Sequence, residues 1–538
     1  MRLILLVILL SVCVSGGIFD TKFGQKIKRV VDKIKTKLNS TALLVIREKI
    51  HGLKEKIRAK LTLSPERKAI LSELLKQIGS IKKDHILSKG DSIEEINANN
   101  KIGELLYQSD IVLTKSVCVV TVLNGRALMT YPSHSFSEQA DEIVQDAEDE
   151  GGNRTKRQAF RDQNYPRTLW SNGVNYFFDP SASPVVRSVF TKGARLWMKD
   201  TCIDFRENRD APDRIRVFKE DGCWSFVGRL GKQQDLSLGD GCESVGTAAH
   251  EIGHAIGFFH TQSRHDRDNF ITFNVQNVKP DWVDQFTKET TATNENYGIP
   301  YDYGNIMHYG ANSASYNGKP TMIPNDPKYV ETLGSPIISF YELLMINQHY
   351  GCMKRCDPNS SAKCAMGGFP HPRDCSRCIC PSGYGGRLCN ERPSGCGQVY
   401  QATAQYQTLT DEIGNRNAGQ RPREDMDMCN YWITRQYERC SQILLKAPAG
   451  ARIEVKLVGF TKGLAVDGCQ YAGVEIKTHA DQRLTGYRFC APEDAGVTLV
   501  SKHNIVPIIT YNRFYATKTV IQYRIGCMLC CDEFLFCM

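Results

Sequence analysis

The 538-residue sequence predicts an α+β domain built on a metal-site helix, then a small disulfide-rich module, then a β-sandwich. Three observations carry that prediction. The first is the stretch His250-Glu251-Ile252-Gly253-His254-Ala255-Ile256-Gly257-Phe258-Phe259-His260. The second is a run of closely spaced cysteines, Cys356, Cys364, Cys375, Cys378, Cys380 and Cys389, in a segment with too little core to fold without bridges. The third is polar–apolar alternation after Cys396, as in Ile453-Glu454-Val455-Lys456-Leu457 and Gly473-Val474-Glu475-Ile476.

On a helix, His250 and His254 stand one turn apart and point the same way. Two neutral imidazoles on one face make two corners of a tetrahedral zinc site. Glu251 is too far round the helix to complete the ligand set, but it can reach a water on the metal, the general-base position of a zinc peptidase. Gly257 ends the helix, the chain turns, and His260 supplies a third ligand. The fourth position stays open, which marks one catalytic zinc per chain. The long form H-x-x-x-H-x-x-G-x-x-H is the metzincin signature.

Further on comes Asn305-Ile306-Met307-His308-Tyr309. With the zinc stretch, this resembles the astacin family of metzincins. The resemblance implies an α+β metzincin catalytic domain, with a twisted sheet, an active-site helix and a loop-rich lower half. It implies that Met307 is the Met-turn residue under the zinc. It also implies that Tyr309 is a switching ligand that swings away to stabilise the developing oxyanion. Many astacins carry Glu directly after the third histidine, where it receives the new N-terminal ammonium. Here that position is Thr261, which cannot form the ion pair.

The remaining elements follow in chain order. Arg2 precedes the apolar run Leu3–Leu10 and the small residues Ser15-Gly16-Gly17, so residues 1–17 read as a signal peptide. No later apolar run is long enough to span a membrane. The signal and the 21 cysteines together predict secretion into an oxidising compartment. The net charge of +9 invites a nucleic-acid reading, but much of it lies between Lys22 and Lys83 in a propeptide predicted over 18–157. There the stripe Ile46, Ile50, Leu53, Ile57 reads as an amphipathic helix. Leu106-Tyr107-Gln108-Ser109-Asp110 is similar to the astacin propeptide motif aromatic-x-Gly-Asp, whose aspartate takes the open zinc position; Ser109 replaces the glycine. An acidic tract, Glu138 to Glu150, leads to Arg154-Thr155-Lys156-Arg157, a dibasic site for a proprotein convertase. Cleavage between Arg157 and Gln158 would release the mature protein. Asn39, Asn153 and Asn359 lie in glycosylation sequons.

The peptidase domain is expected over 158–352, with strands Val174–Phe178 and Ile215–Phe218 around a helix near Val185–Met198. Spacing leaves three connectivities open for Cys202, Cys223, Cys242 and Cys352. The astacin pattern implies Cys202–Cys352 and Cys223–Cys242. Residues 353–391 resemble an EGF-like module. Residues 396–527 resemble a CUB domain, with Cys469 and Cys490 as its second pair and Cys396 able to pair with Cys429. Cys440 is extra, and the Cys-rich tail 528–538 matches no module.

The resulting expectation is a secreted zinc endopeptidase made as a zymogen. The resemblance to nematode astacins implies extracellular-matrix substrates, such as cuticle at moulting or eggshell at hatching. Two rivals remain. One is a processing protease for a single signalling precursor, and the other is a non-catalytic matrix-binding scaffold.

Overall fold

The computed structural model describes residues 58–59, 61–78, 83–104, 106–112, 119–123, 126–130, 159–161, 164–289, 294–435 and 452–526. The signal peptide, the 46–57 stripe, Asn39, Asn153, the Arg157–Gln158 bond, Cys440 and the tail lie outside them. Helix α1 is Pro65–Ile78 and α2 is Ile93–Asn99, capped by Ser92, whose side chain accepts from the Glu95 amide. The hairpin β1 (Val119–Leu123) and β2 (Arg126–Thr130) belongs to a separate compact unit, residues 1–53 and 113–145. Everything below concerns the other unit, residues 54–112 and 146–538.

The peptidase half begins with β3 (Ala159–Phe160), β4 (Val174–Phe178) and α3 (Pro184–Lys199). Pro184 opens α3 where a missing N–H costs nothing, and Ser183 caps it. Val186, Val189, Phe190, Ala194 and Trp197 repeat at three- and four-residue steps and form its buried face. The next strands are β5 (Phe205–Glu207), β6 (Arg214–Phe218), β7 (Cys223–Ser225) and β8 (Gln233–Leu238). They form one sheet with β4, in the order β5-β4-β6-β8-β7. All neighbours are parallel except β7, which runs antiparallel to β8 at the edge. Helix α4 (Val245–Ala255) packs beside α3, whose Phe190 lies against Tyr176 and Phe178 of β4. The Trp197 indole donates to the Ala249 carbonyl at 2.9 Å and fixes the two helices side by side.

Past α4 the chain is mostly 3₁₀ turns and two-stranded ladders. β9 (Ile271–Phe273) pairs with β11 (Met322–Pro324), and β10 (Asn294–Glu295) pairs with β3. Helix α5 (Phe340–His349) closes the domain with a capping box of Ser339 and Glu342. Cys202 is bonded to Cys352 and Cys223 to Cys242. The first bridge closes 150 residues, a loop worth at most about 5 kcal/mol of unfolded-state entropy.

A small hairpin module follows, β12 (Phe369–His371) with β13 (Asp374–Ile379), held by Cys356–Cys375, Cys364–Cys378 and Cys380–Cys389. The rest is two packed sheets. Their strands are β14 (Val399–Gln401), β15 (Gln407–Gly414), β16 (Pro422–Thr434), β17 (Ile453–Phe460), β18 (Ala472–Ile476), β19 (Tyr487–Phe489), β20 (Thr498–Val500), β21 (Ile505–Phe514) and β22 (Ala516–Ile525). One sheet runs β14-β16-β21-β18-β19 and the other β15-β22-β17-β20. Leu409, Ile433, Val455, Leu457, Val474 and Ile508 make the core; β15 alternates buried and exposed residues, whereas β18 and most of β21 are buried on both faces. Cys396–Cys429 and Cys469–Cys490 complete the bridges among the described residues. No helix among the described residues is long and apolar enough to cross a membrane.

Candidate metal centre

Helix α4 starts at Ser244, whose hydroxyl accepts from the Thr247 amide, and ends at Ile256, with Gly257 beyond it at φ 118°. That left-handed turn swings the chain back so that His260 meets the two helical histidines. Met307 lies against the helix. A Cβ on Gly253 would stand 2.7 Å from its sulfur, so the turn can sit this close only because residue 253 has no side chain. The Met307 turn is itself held from α5. The buried Glu342 carboxylate accepts from the Ile306 and Met307 amides at 3.1 and 3.2 Å.

Four donor atoms converge, one each from Asp110, His250, His254 and His260, all within 4.8 Å of one another. His250 Nε2 is 3.1 Å from His254 Nε2 and 3.3 Å from His260 Nε2. Asp110 Oδ2 is 3.2 Å from His250 Nε2 and 3.1 Å from His260 Nε2, and Oδ1 is 3.6 Å from His254 Nε2. Zinc–nitrogen bonds of about 2.0–2.1 Å give a tetrahedron with edges of roughly 3.3–3.4 Å, so this donor set fits zinc. The outer nitrogens agree. His250 Nδ1 is paired with the Ile306 carbonyl at 2.8 Å, His254 Nδ1 with the Phe258 carbonyl at 2.7 Å, and His260 Nδ1 with the Gln108 side-chain carbonyl at 2.9 Å. Each acceptor puts the proton on Nδ1 and leaves the Nε2 lone pair for a metal. Burial pulls the His260 imidazole down to about 3 and lowers His254, while at His250 burial is outweighed by the hydrogen bond and charge of Asp110, which raise it.

Asp110 reaches this cluster from a tight turn. Tyr107 and Ile111 exchange backbone hydrogen bonds, while Gln108 and Ser109 take φ of 45° and 62°. The turn is fixed from outside. Asn97 donates to the Ser109 and Cys223 carbonyls, and Gln285 accepts from the Ser109 amide. The chain then joins the sheet edge: Ser225 donates to the Asp110 carbonyl at 3.0 Å and Val112 donates to the Ser225 carbonyl at 2.9 Å, parallel to β7. Burial pushes the Asp110 carboxyl up, but His260, His254 and His250 outweigh it and hold it well below the carboxylate range.

Glu251 is fully buried, and neither carboxylate oxygen has a hydrogen-bond partner among the described residues. Burial pushes its carboxyl well above the ordinary range, and the Asp110 charge adds to the shift. An unpartnered buried acid one residue from His250 is poised to hold a proton. The Tyr309 ring lies 4.7 Å from the His260 ring. Its hydroxyl donates to the Gln108 carbonyl and accepts from the Ser109 hydroxyl at 2.8 Å.

The sequence matches the Astacin peptidase family over residues 162–351. It is 46% identical over 442 residues to zinc metalloproteinase nas-31 of Caenorhabditis elegans, spanning 82% of this chain and 67% of that protein. The chain belongs to the astacin family. Zinc metalloproteinase nas-29 of the same organism is 34% identical, spanning 79% of this chain and 77% of that one. Among solved structures, high choriolytic enzyme 1, a hatching enzyme zinc-protease from Oryzias latipes, is 30% identical at a TM-score of 0.32, covering 37% of this chain and 99% of that one. This astacin is a zinc metalloendopeptidase, and the three histidines with Asp110 form its group able to hold the metal.

The structure brings together His250, His254, His260, Glu251, Asp110, Met307 and Tyr309. Thr261 is buried, and its amide donates to the Met307 carbonyl at 2.9 Å. Near the expected cleavage site the described chain resumes at Ala159, and Phe160 donates to the Gly257 carbonyl at 2.8 Å. Asn359 is exposed. Sequence reasoning missed Gln108, Glu342 and Asn97. Gln108 carried a weak signal as the variable position of the propeptide motif. The other two carried none, because Glu342 acts 35 and 36 residues back and Asn97 spans 126 residues to Cys223.

Proposed function

We propose that this astacin is a secreted zymogen whose propeptide aspartate, Asp110, occupies the fourth zinc position. Asp110 on the three histidine nitrogens is the observation that carries this reading. His250, His254 and His260 would hold the zinc. Bound zinc supplies a Lewis acid that polarises the scissile carbonyl and acidifies a water. Glu251 takes that water's proton and passes it to the leaving amine; its raised affinity for a proton suits the transfer. Tyr309 donates to the developing oxyanion. In the latent chain that hydroxyl is engaged by Gln108 and Ser109, so the propeptide holds both the open ligand position and the oxyanion donor.

On this reading a convertase cuts behind Arg157, and residues 158–352 form the mature peptidase. The modules at 353–391 and 396–527 serve as EGF-like and CUB-like domains. The three module bridges and the two-sheet sandwich support those assignments. Extracellular-matrix proteins, in cuticle at moulting or eggshell at hatching, are the proposed substrates, supported by the relatedness to C. elegans enzymes. The test is peptidase activity of the full chain before and after cleavage behind Arg157, with zinc content measured in both. Activity that appears only on cleavage supports the zymogen. Equal activity before cleavage refutes it.

A further inference from the structure

Gly310 follows Tyr309 directly, and a Cβ there would stand 2.6 Å from the Asp467 Cβ of the β-sandwich. The sandwich therefore touches the peptidase one residue from Tyr309. Asp467 Oδ2 accepts from the Asn312 amide at 2.6 Å, which fixes the carboxylate on this junction. One continuous cavity runs from His250 and Tyr309 to Asp467 and Gln470, with Glu94 and Asp110 of the propeptide along it.

At this junction sits an ammonium. Lys83 pairs with Glu331 and stands 3.1 Å from Asp467 Oδ1. Glu331 comes from the peptidase turn Pro327–Thr332 and Asp467 from the sandwich, beside Cys469–Cys490. Their side chains are 1% and 14% exposed, and that of Lys83 is 18% exposed. Nearby Glu493 and Asp494 add negative charge; burial and the Glu331 charge push the Asp494 carboxyl up to about 7. Burial pushes the Glu331 carboxyl up and the Lys83 ammonium opposes that shift, so a cation at this position favours its charged form. Lys83 lies upstream of Asp110, so removal of the propeptide takes the ammonium away from Asp467, which lines that cavity, and from Glu331 behind it.

We propose that Glu331 and Asp467 form a substrate subsite for a lysine or arginine side chain, which Lys83 occupies in the zymogen. This rests on the reading that the propeptide leaves on activation. A side chain fits better than a divalent cation. Two carboxylates fall short of the six to eight oxygens a calcium ion takes, whereas one ammonium offers three donors. The β-sandwich is then part of the substrate cleft, and Asp467 is a specificity-determining residue.

The test uses the processed full-length protein, freed of the activating protease, and its Asp467→Asn variant, which keeps the acceptor for the Asn312 amide. Cleavage sites in a peptide library are mapped, and binding of a labelled peptide of residues 83–112 is measured with Lys83 intact or replaced by Met. Lysine or arginine is expected to be enriched at one fixed position counted from the cut. Asp467→Asn should lower that enrichment roughly tenfold, read as the ratio of cleavage at basic to non-basic residues within one digest. Lys83→Met and Asp467→Asn should each weaken peptide binding by a similar factor, with no further loss in combination. No enrichment in an active enzyme, or enrichment that survives Asp467→Asn, overturns the proposal. If the protein cleaves nothing yet binds the peptide in this Lys83-dependent way, the cation pocket stands and the processing reading falls.

Discussion

Helix α4 holds two of the metal-site histidines on its own backbone ladder, whereas the turn Tyr107–Ile111 has one backbone pair of its own and is otherwise held by bonds made with other parts of the molecule. The helix has its own cap at Ser244, a buried face against α3, and Met307 beneath Gly253. The turn has two residues at positive φ and depends on Asn97, Gln285, Ser225 and Tyr309 to stay in place. Left-handed backbone at a non-glycine residue costs about 1–2 kcal/mol. The difference teaches how one site can be both permanent and latent. On the proposed zymogen reading, the donors that stay are built into secondary structure, and the donor that leaves sits on a turn with two left-handed residues fixed from outside.

That contrast can be broken at several points. The largest effect is expected on the helix side. In the processed protein, Glu251→Gln should lower kcat by about 10²–10⁴ with zinc content unchanged, read by steady-state kinetics and metal analysis. Tyr309→Phe should lower kcat by about 10²–10³ with little change in KM, because the hydroxyl acts on the developing charge. On the turn side, Asp110→Ala in the uncut chain should release activity without cleavage. A charge-assisted contact of about 1.5–3 kcal/mol corresponds to roughly a ten- to hundredfold weaker latency. Ser109→Ala keeps the strained φ but removes the hydroxyl that donates to Tyr309. It should weaken latency by about 1 kcal/mol and leave the processed enzyme unchanged. If Ser109→Ala slowed the processed enzyme instead, the turn would not be a part that departs.

What was legible in the sequence was what is local. The His250–His260 spacing and the Gly257 break fit within a few residues, so helix spacing and turn chemistry expose them, whereas the Met307–Tyr309 pair was legible only through the resemblance to astacins. Asp110 was legible only through its similarity to the astacin propeptide motif. Contacts between distant segments were not. Glu342 reaches Ile306 across 36 residues, Asn97 reaches Cys223 across 126, and Asp467 reaches Asn312 across 155. Nothing in the local pattern of an Asp-Gly-Cys turn says that it will stand beside Tyr309. The packing of the sandwich on the peptidase decides that, and packing partners are set by the whole fold.

The most direct test of the removable ligand is a crystal structure of the uncut chain loaded with zinc. The account predicts three histidine nitrogens and the Asp110 carboxylate on the metal, the last at about 2.0–2.2 Å, with the Tyr309 hydroxyl on the Gln108 carbonyl. Zinc held by the three histidines with Asp110 turned away would contradict it, and the origin of latency would have to be sought elsewhere in the chain.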